Sequence, residues 1–289
     1  GWGAPPTSQL LGRHVAAPRR PLFFSLKQTG VQVGAVLASL SLPALALAWG
    51  WRAALAAVGG LLLLLAAVLA RPARQHALPP AGARPGALRL GTALRGLLSW
   101  TALLRHDRGL LRLALAAAAF GATQVCMNTF LVTWMVSVRG VPLTTAGLLA
   151  ATAQGAGLLG RPLWGWVASR AGGSRRVLLG LGALMAASSA LLGRVGADLP
   201  AGRLAVLAAS LGPSASGWNG VFLAEVASRS EGAGIAAATA AAMAPLFLGL
   251  IVGPVAFAGA GRWLGLSSGF VMMAGVALAG TLLVPAARR

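Results

Sequence analysis

The sequence predicts an all-α polytopic membrane protein, on three observations: an apolar excess too large for a water-soluble core, eight apolar runs long enough to cross a bilayer, and basic residues concentrated in alternate connections. Of the 289 residues, 57% are hydrophobic and 10% charged, and the mean hydropathy is +0.78. A soluble domain is typically about 25% charged. A chain of this length cannot bury so much apolar surface in one core, so lipid must solvate much of it. The single cysteine, Cys126, excludes an internal disulfide framework, and three histidines leave no plausible metal cluster. No cofactor is expected.

A helix needs about 20 apolar residues to cross the hydrocarbon layer, and backbone groups in lipid must be satisfied within the segment, which makes these runs helices. They cover 22–46, 53–70, 110–137, 144–168, 177–194, 203–224, 233–258 and 264–285. Short connections with breakers separate most of them, such as Trp49-Gly50-Trp51-Arg52 and Arg139-Gly140-Val141-Pro142. One connection differs: 71–109 is rich in Pro, Gly and Arg and is not apolar enough to cross. It divides the chain into two helices and then six. No basic stretch followed by an apolar run and cleavage site opens the chain. The natural N-terminus is therefore expected to lie upstream of Gly1.

Lys and Arg favour cytoplasmic loops. Loops 12–20, 71–112, 169–176 and 225–232 and the C-terminus hold seventeen arginines, eight of them from Arg71 to Arg112, whereas the opposite ends hold five. This predicts that 12–20, 71–109, 169–176, 225–232 and the C-terminus face the cytoplasm of a cell inner membrane. The formal charge of +20 is then largely a topology signal, suited to anionic lipid at the cytoplasmic face. Nucleic-acid binding is not expected, because no aromatic-interleaved basic module accompanies the charge.

The first two spans and the last two share a skeleton. Arg19, Pro43 and Arg52 recur as Arg229, Pro254 and Arg262 at offsets of 210, 211 and 210. Transporters are commonly built from parallel halves of six helices. The segment GRPLWGWVASRAGGSRR, 160–176, resembles the signature loop of the major facilitator superfamily as it recurs in the second half: Gly165, Arg170, Gly172, Arg175 and Arg176 match, and Ser169 replaces the usual Asp. FSLKQTGVQVG (24–34), QGAGLLGRPLWGW (154–166) and GWNGVFLAEVASR (217–229) are similar to a bacterial subgroup of that family. The resemblance covers essentially the whole chain. It implies a major facilitator fold with a complete C-terminal six-helix bundle at 110–289, the end of helix four with helices five and six at 1–70, and an inter-bundle linker at 71–109. The chain would then be helices five to twelve of a twelve-helix permease, truncated at its N-terminus, inactive alone and monomeric when full length.

Polar groups within a membrane helix usually face the bundle interior or a wet cavity. Gln124 and Asn128 lie one turn apart, while Gln154 and Arg161 lie two turns apart, about 10 Å along one face. Lys27 and Gln28 lie near the cytoplasmic end of the first span, and Trp218 and Asn219 follow an expected break at Gly212-Pro213. These eight are the substrate-binding candidates. Lys27 can equally snorkel to the headgroups. The amides can equally bind helix to helix, and Trp218 can equally be packing. Glu225 is the candidate for proton coupling, although an ion pair with a loop arginine suits it better. Gly165 would admit a neighbouring helix, and the signature-loop arginines can meet helix C-terminal carbonyls or lipid phosphates. Gly30, Gly34 and Ala38 form one small-residue packing stripe, Gly249 and Gly253 another. The resemblance implies that the first faces the opposite half and the second a helix missing from this chain.

Three function classes can be weighed. Secondary transport of a small solute by alternating access needs no covalent chemistry. A membrane enzyme needs a base near its nucleophile, but His14, His76 and His106 all lie in loops, and GPSASG (212–217) has no partner base. A channel or purely structural bundle remains compatible with composition, without a repeated pore-lining polar face. Lys27 and Arg161, opposed at most by Glu225, favour an organic anion as the solute.

Overall fold

The computed structural model describes residues 15–75, 101–170, 173–194, 201–230 and 234–286, together with Ser8 and Leu11. The regular structure among them is helical. A 3-10 turn, Ala17–Arg19, leads into α1 (Arg20–Gln75). Then follow α2 (Arg108–Ser137), α3 (Leu143–Arg170), α4 (Ser174–Arg194), α5 (Ala201–Ser228), α6 (Gly234–Leu264) and α7 (Leu266–Leu283). Each of the six spans expected between 110 and 285 coincides with one helix to within six residues at either end.

The spans expected at 22–46 and 53–70 both fall in α1, whose single non-helical residue is Gly50, at φ 81° and ψ 155°. Only glycine takes that conformation without steric cost, so the Trp-Gly-Trp sequence marks the break. Helix α1 continues to Gln75, into the expected linker; 76–100 lies outside the described residues.

The chain forms two compact units, 34–98 and the remainder. In the first, the consecutive residues Leu61 to Leu65 are all exposed. A helix apolar on every side is solvated by lipid or covered by other protein. In the second unit, α3 packs chiefly against α5, α2 against α6 and α7, and α4 against α7 and α5. Helices α2, α4, α6 and α7 are long and apolar enough to cross a membrane by length and composition. Helix α6 exposes Leu248, Ile251, Val252 and Val255. The more polar α5 buries every residue from 220 to 227, among them Trp218's neighbours Val221 and Phe222.

Small residues set the closest approaches, as expected where van der Waals contact replaces the hydrophobic effect. A Cβ on Gly212 of α5 would strike the Ala153 carbonyl of α3, and one on Gly160 of α3 would lie 2.8 Å from the Pro213 backbone. The break expected at Gly212-Pro213 does not occur: α5 runs through both. Tight packing against α3 holds the turn, and the hydroxyls of Ser210 and Ser214 donate to the carbonyls of Leu207 and Leu211 at 2.8 and 2.9 Å.

The stripe of Gly249 and Gly253 also needs correcting. It faces no missing helix but α2 of this chain, with Gly249 against the Ala118 carbonyl and a Gly253 Cβ only 2.9 Å from Ala122. Periodicity identified the face but not the neighbour. At Gly30 and Gly34, a methyl group in place of the hydrogen would have no described atom within 4 Å.

The α2–α6 contact makes a direct test. Gly249→Leu should destabilise the protein by about 1–3 kcal/mol or prevent folding, since the side chain meets backbone that cannot yield. Gly180→Ala, in open space, should stay within about 0.5 kcal/mol of the parent. Thermal unfolding followed by a maleimide dye on the buried Cys126 reads both.

Candidate functional site

Helices α2, α3 and α5 surround a cleft lined by Met127, Asn128, Gln154, Gly212, Ala215 and Ser216, with about 370 Å³ of empty space including its open mouth. Two of the expected residues, Asn128 and Gln154, thus share one wall-to-wall space. Gln124, one turn from Asn128 on α2, accepts a hydrogen bond from Asn219 Nδ2 of α5 at 3.2 Å. An amide face therefore continues from the cleft along the α2–α5 contact.

Sequence reasoning misses Met127 and Ser216. Met127 is apolar in an apolar run and carries no signal. Ser216 is visible in the segment 212–217 but reads there only as a nucleophile without a base. The usable clue is the run of small residues around it, which brings α5 close to α3 and turns a hydroxyl toward the space.

Arg161 and Gln28 meet, though not through two side chains: the Arg161 guanidinium donates from Nη1 to the Gln28 backbone carbonyl at 2.5 Å. Arg161 is 4% exposed, so its charge sits inside the contact between α3 and the start of α1 rather than in the cleft wall. One turn along, Gly165 faces Ser25 and the Pro21 carbonyl, and Gly220 of α5 also faces Ser25. The close approach expected at Gly165 is therefore present, with Ser25 wedged between two glycines. Lys27 and Gln28 are half-buried. Trp218 is fully buried, with Phe120 and Phe222 each 5.7 Å from it between ring centroids. That surrounds its ring with packing contacts.

The signature-loop residues gather at one end of this unit. The Ser169 hydroxyl donates to the Trp166 carbonyl at 2.7 Å, and the Arg170 guanidinium lies 4.7 Å from the Trp166 ring centroid. Arg175 Nε donates to the Pro285 carbonyl at 2.9 Å, while Arg176 is exposed. Gly172 lies outside the described residues. Glu225 pairs with Arg229 at 2.9 Å, both largely buried, and Arg229 Nη2 also donates to the Ala286 carbonyl at 2.8 Å. Together with a longer contact of 3.4 Å from Arg112 to Leu282, three arginines from three parts of the chain meet carbonyls at the end of α7. Unsatisfied carbonyls and the negative end of the helix dipole favour cations there.

The amide pair gives a quantitative expectation. A double-mutant cycle of Gln124→Leu and Asn219→Leu, read by thermal unfolding in detergent, should show a coupling of about 0.6 kcal/mol, the average for hydrogen bonds between membrane helices. Additive effects would mean that the bond contributes nothing to stability.

None of the curated proteins matches the chain. The family model described as Major Facilitator Superfamily matches residues 1–242, which include α1 to α5, the cleft and the signature loop. The members of that family are transporters rather than enzymes, in keeping with a helical chain whose described helices include four apolar enough to cross a membrane. The chain belongs to the Major Facilitator Superfamily and is a multi-pass membrane transporter of that type.

Proposed function

We propose that the protein carries a small organic anion across the cell inner membrane by alternating access, as part of a twelve-helix permease. In this reading 1–70 belongs to the first bundle, 110–289 forms the second, and 71–109 links them on the cytoplasmic side. The observation that supports a solute site most directly is the cleft in which Asn128 and Gln154 face Ser216. These groups offer both donors and acceptors and can orient a polar solute. Gln124 and Asn219 extend the same face.

The sign of the solute follows from the charges. Lys27 and Arg161 are the cations in the membrane-crossing parts of α1 and α3, and Glu225 already pairs with Arg229. A cationic solute would meet uncompensated positive potential in a low-dielectric interior, whereas an anion would be attracted. Arg161, held by the Gln28 carbonyl, acts in this reading through its field and through its hold on α1. Trp218 supports the cleft from behind by keeping α2 and α5 apart at a fixed distance. A role of Glu225 in proton coupling requires its ion pair with Arg229 to open during the cycle.

Counterflow of labelled organic anions into proteoliposomes carrying the full-length gene product tests the proposal. Uptake should fall by about tenfold in Asn128→Leu and in Gln154→Leu, as expected for one lost hydrogen bond to a solute. Arg161→Ala should reduce anion uptake at least as much. Uptake of cations instead, indifferent to Arg161→Ala, would overturn the reading.

A further inference from the structure

Met127 touches both the cleft and the helix behind it. The lining residues of the cleft come from α2, α3 and α5, whereas α4 packs chiefly against α7 and α5. Helix α4 reaches α2 through two long side chains. A Cβ on Gly182 would lie 2.7 Å from the end of the Phe120 ring, and Ser189 Oγ donates to Met127 Sδ at 3.9 Å. The two contacts are seven residues apart on each helix, about two turns. They form two rungs between α2 and α4.

The rungs differ in kind. Phe120 is a rigid ring, seated 5.7 Å from that of Trp218 between centroids. Met127 is unbranched, and its thioether can turn about several bonds. Across the cleft, α3 and α5 present mainly small side chains, Ala150, Ala153, Gly212, Ala215 and Ser216. Those cannot alter the width of the cleft by rotation, but a methionine can. Ser189 is fully buried, and a buried hydroxyl that loses its acceptor is left with an uncompensated desolvation cost. Among the described residues, the Met127 sulfur is the acceptor that Ser189 meets. Sulfur accepts weakly, yet the contact draws the thioether toward α4 and away from the cleft.

We infer that Met127 is a specificity-determining residue that sets the width of the cleft for the apolar part of a solute, and that Ser189 of α4 is its positioning residue. Selection of a solute by this width rests on the reading of the cleft as the solute site. The hold of Ser189 on Met127 does not.

Two measurements on the detergent-purified chain test this. In carbon-13 spectra of labelled methionine methyls, the Met127 resonance is identified by its loss in Met127→Leu. It should move in Ser189→Ala and stay in place in Ser188→Ala, which alters a neighbouring buried serine. For the width, Gln154→Cys in a Cys126→Ala background supplies a thiol on the α3 wall, and its reaction rates with methyl and benzyl methanethiosulfonate compare a slim reagent with a wide one. Ser189→Ala should lower the benzyl-to-methyl ratio by roughly threefold, the factor of one weak hydrogen bond, as the released thioether enters the cleft. Met127→Ala should raise the ratio. In a Met127→Leu background, Ser189→Ala should change nothing, because its effect runs through the sulfur. An unmoved Met127 resonance, an unchanged or raised ratio in Ser189→Ala, or the same loss in the Met127→Leu background would overturn the inference. Failure of anion uptake would overturn the solute reading and leave these rates as they are.

Discussion

The structure depends on backbone-to-backbone contact between α3 and α5. In a membrane the hydrophobic effect does not drive helices together, so shape must. Gly157 and Gly160 on one side and Gly212 with Pro213 on the other remove the side chains that would hold the axes apart. Once α3 and α5 touch in this way, Gln154 and Ser216 are brought to the same space, and α2 completes it with Asn128. The same closeness is what carries Pro213 inside a continuous helix. Further along, Gly165 and Gly220 repeat the device around Ser25, which fixes the start of α1 and delivers the Gln28 carbonyl to Arg161.

Much of the fold was legible because membrane helices are specified by length and apolarity, both of which a sequence displays openly. The six helices from Arg108 to Leu283 follow the apolar runs, and Gly50 interrupts α1 where Trp-Gly-Trp suggested an end. What was not legible is which helix faces which. Gly249 and Gly253 announced a packing face, but a stripe of small residues carries no label for its partner, and resemblance pointed away from α2. Gly212 and Pro213 announced a break by their intrinsic propensities, and tertiary contact with α3 overrode them.

The site divides in the same way. Asn128 and Gln154 stood out because amides are costly in lipid, and Glu225 was expected to find an arginine, which it does in Arg229. The partners of the arginines were harder. Arg161, Arg175 and Arg229 all donate to backbone carbonyls, on Gln28, Pro285 and Ala286 respectively. A carbonyl belongs to every residue and so leaves no trace in the sequence. Trp218 was equally ambiguous until its ring proved to lie between Phe120 and Phe222.

The carbonyls at the end of α7 bear on how the protein can be handled. Three arginines from distant parts of the chain converge on residues 282 to 286, one of them largely buried and shared with Glu225. A reporter or affinity tag joined after Arg289 leaves these acceptors in place. Trimming the tail back to Leu283 before adding one removes two of the three and leaves the buried Arg229 guanidinium to Glu225. The choice of fusion point is therefore a question of electrostatics as much as of linker length.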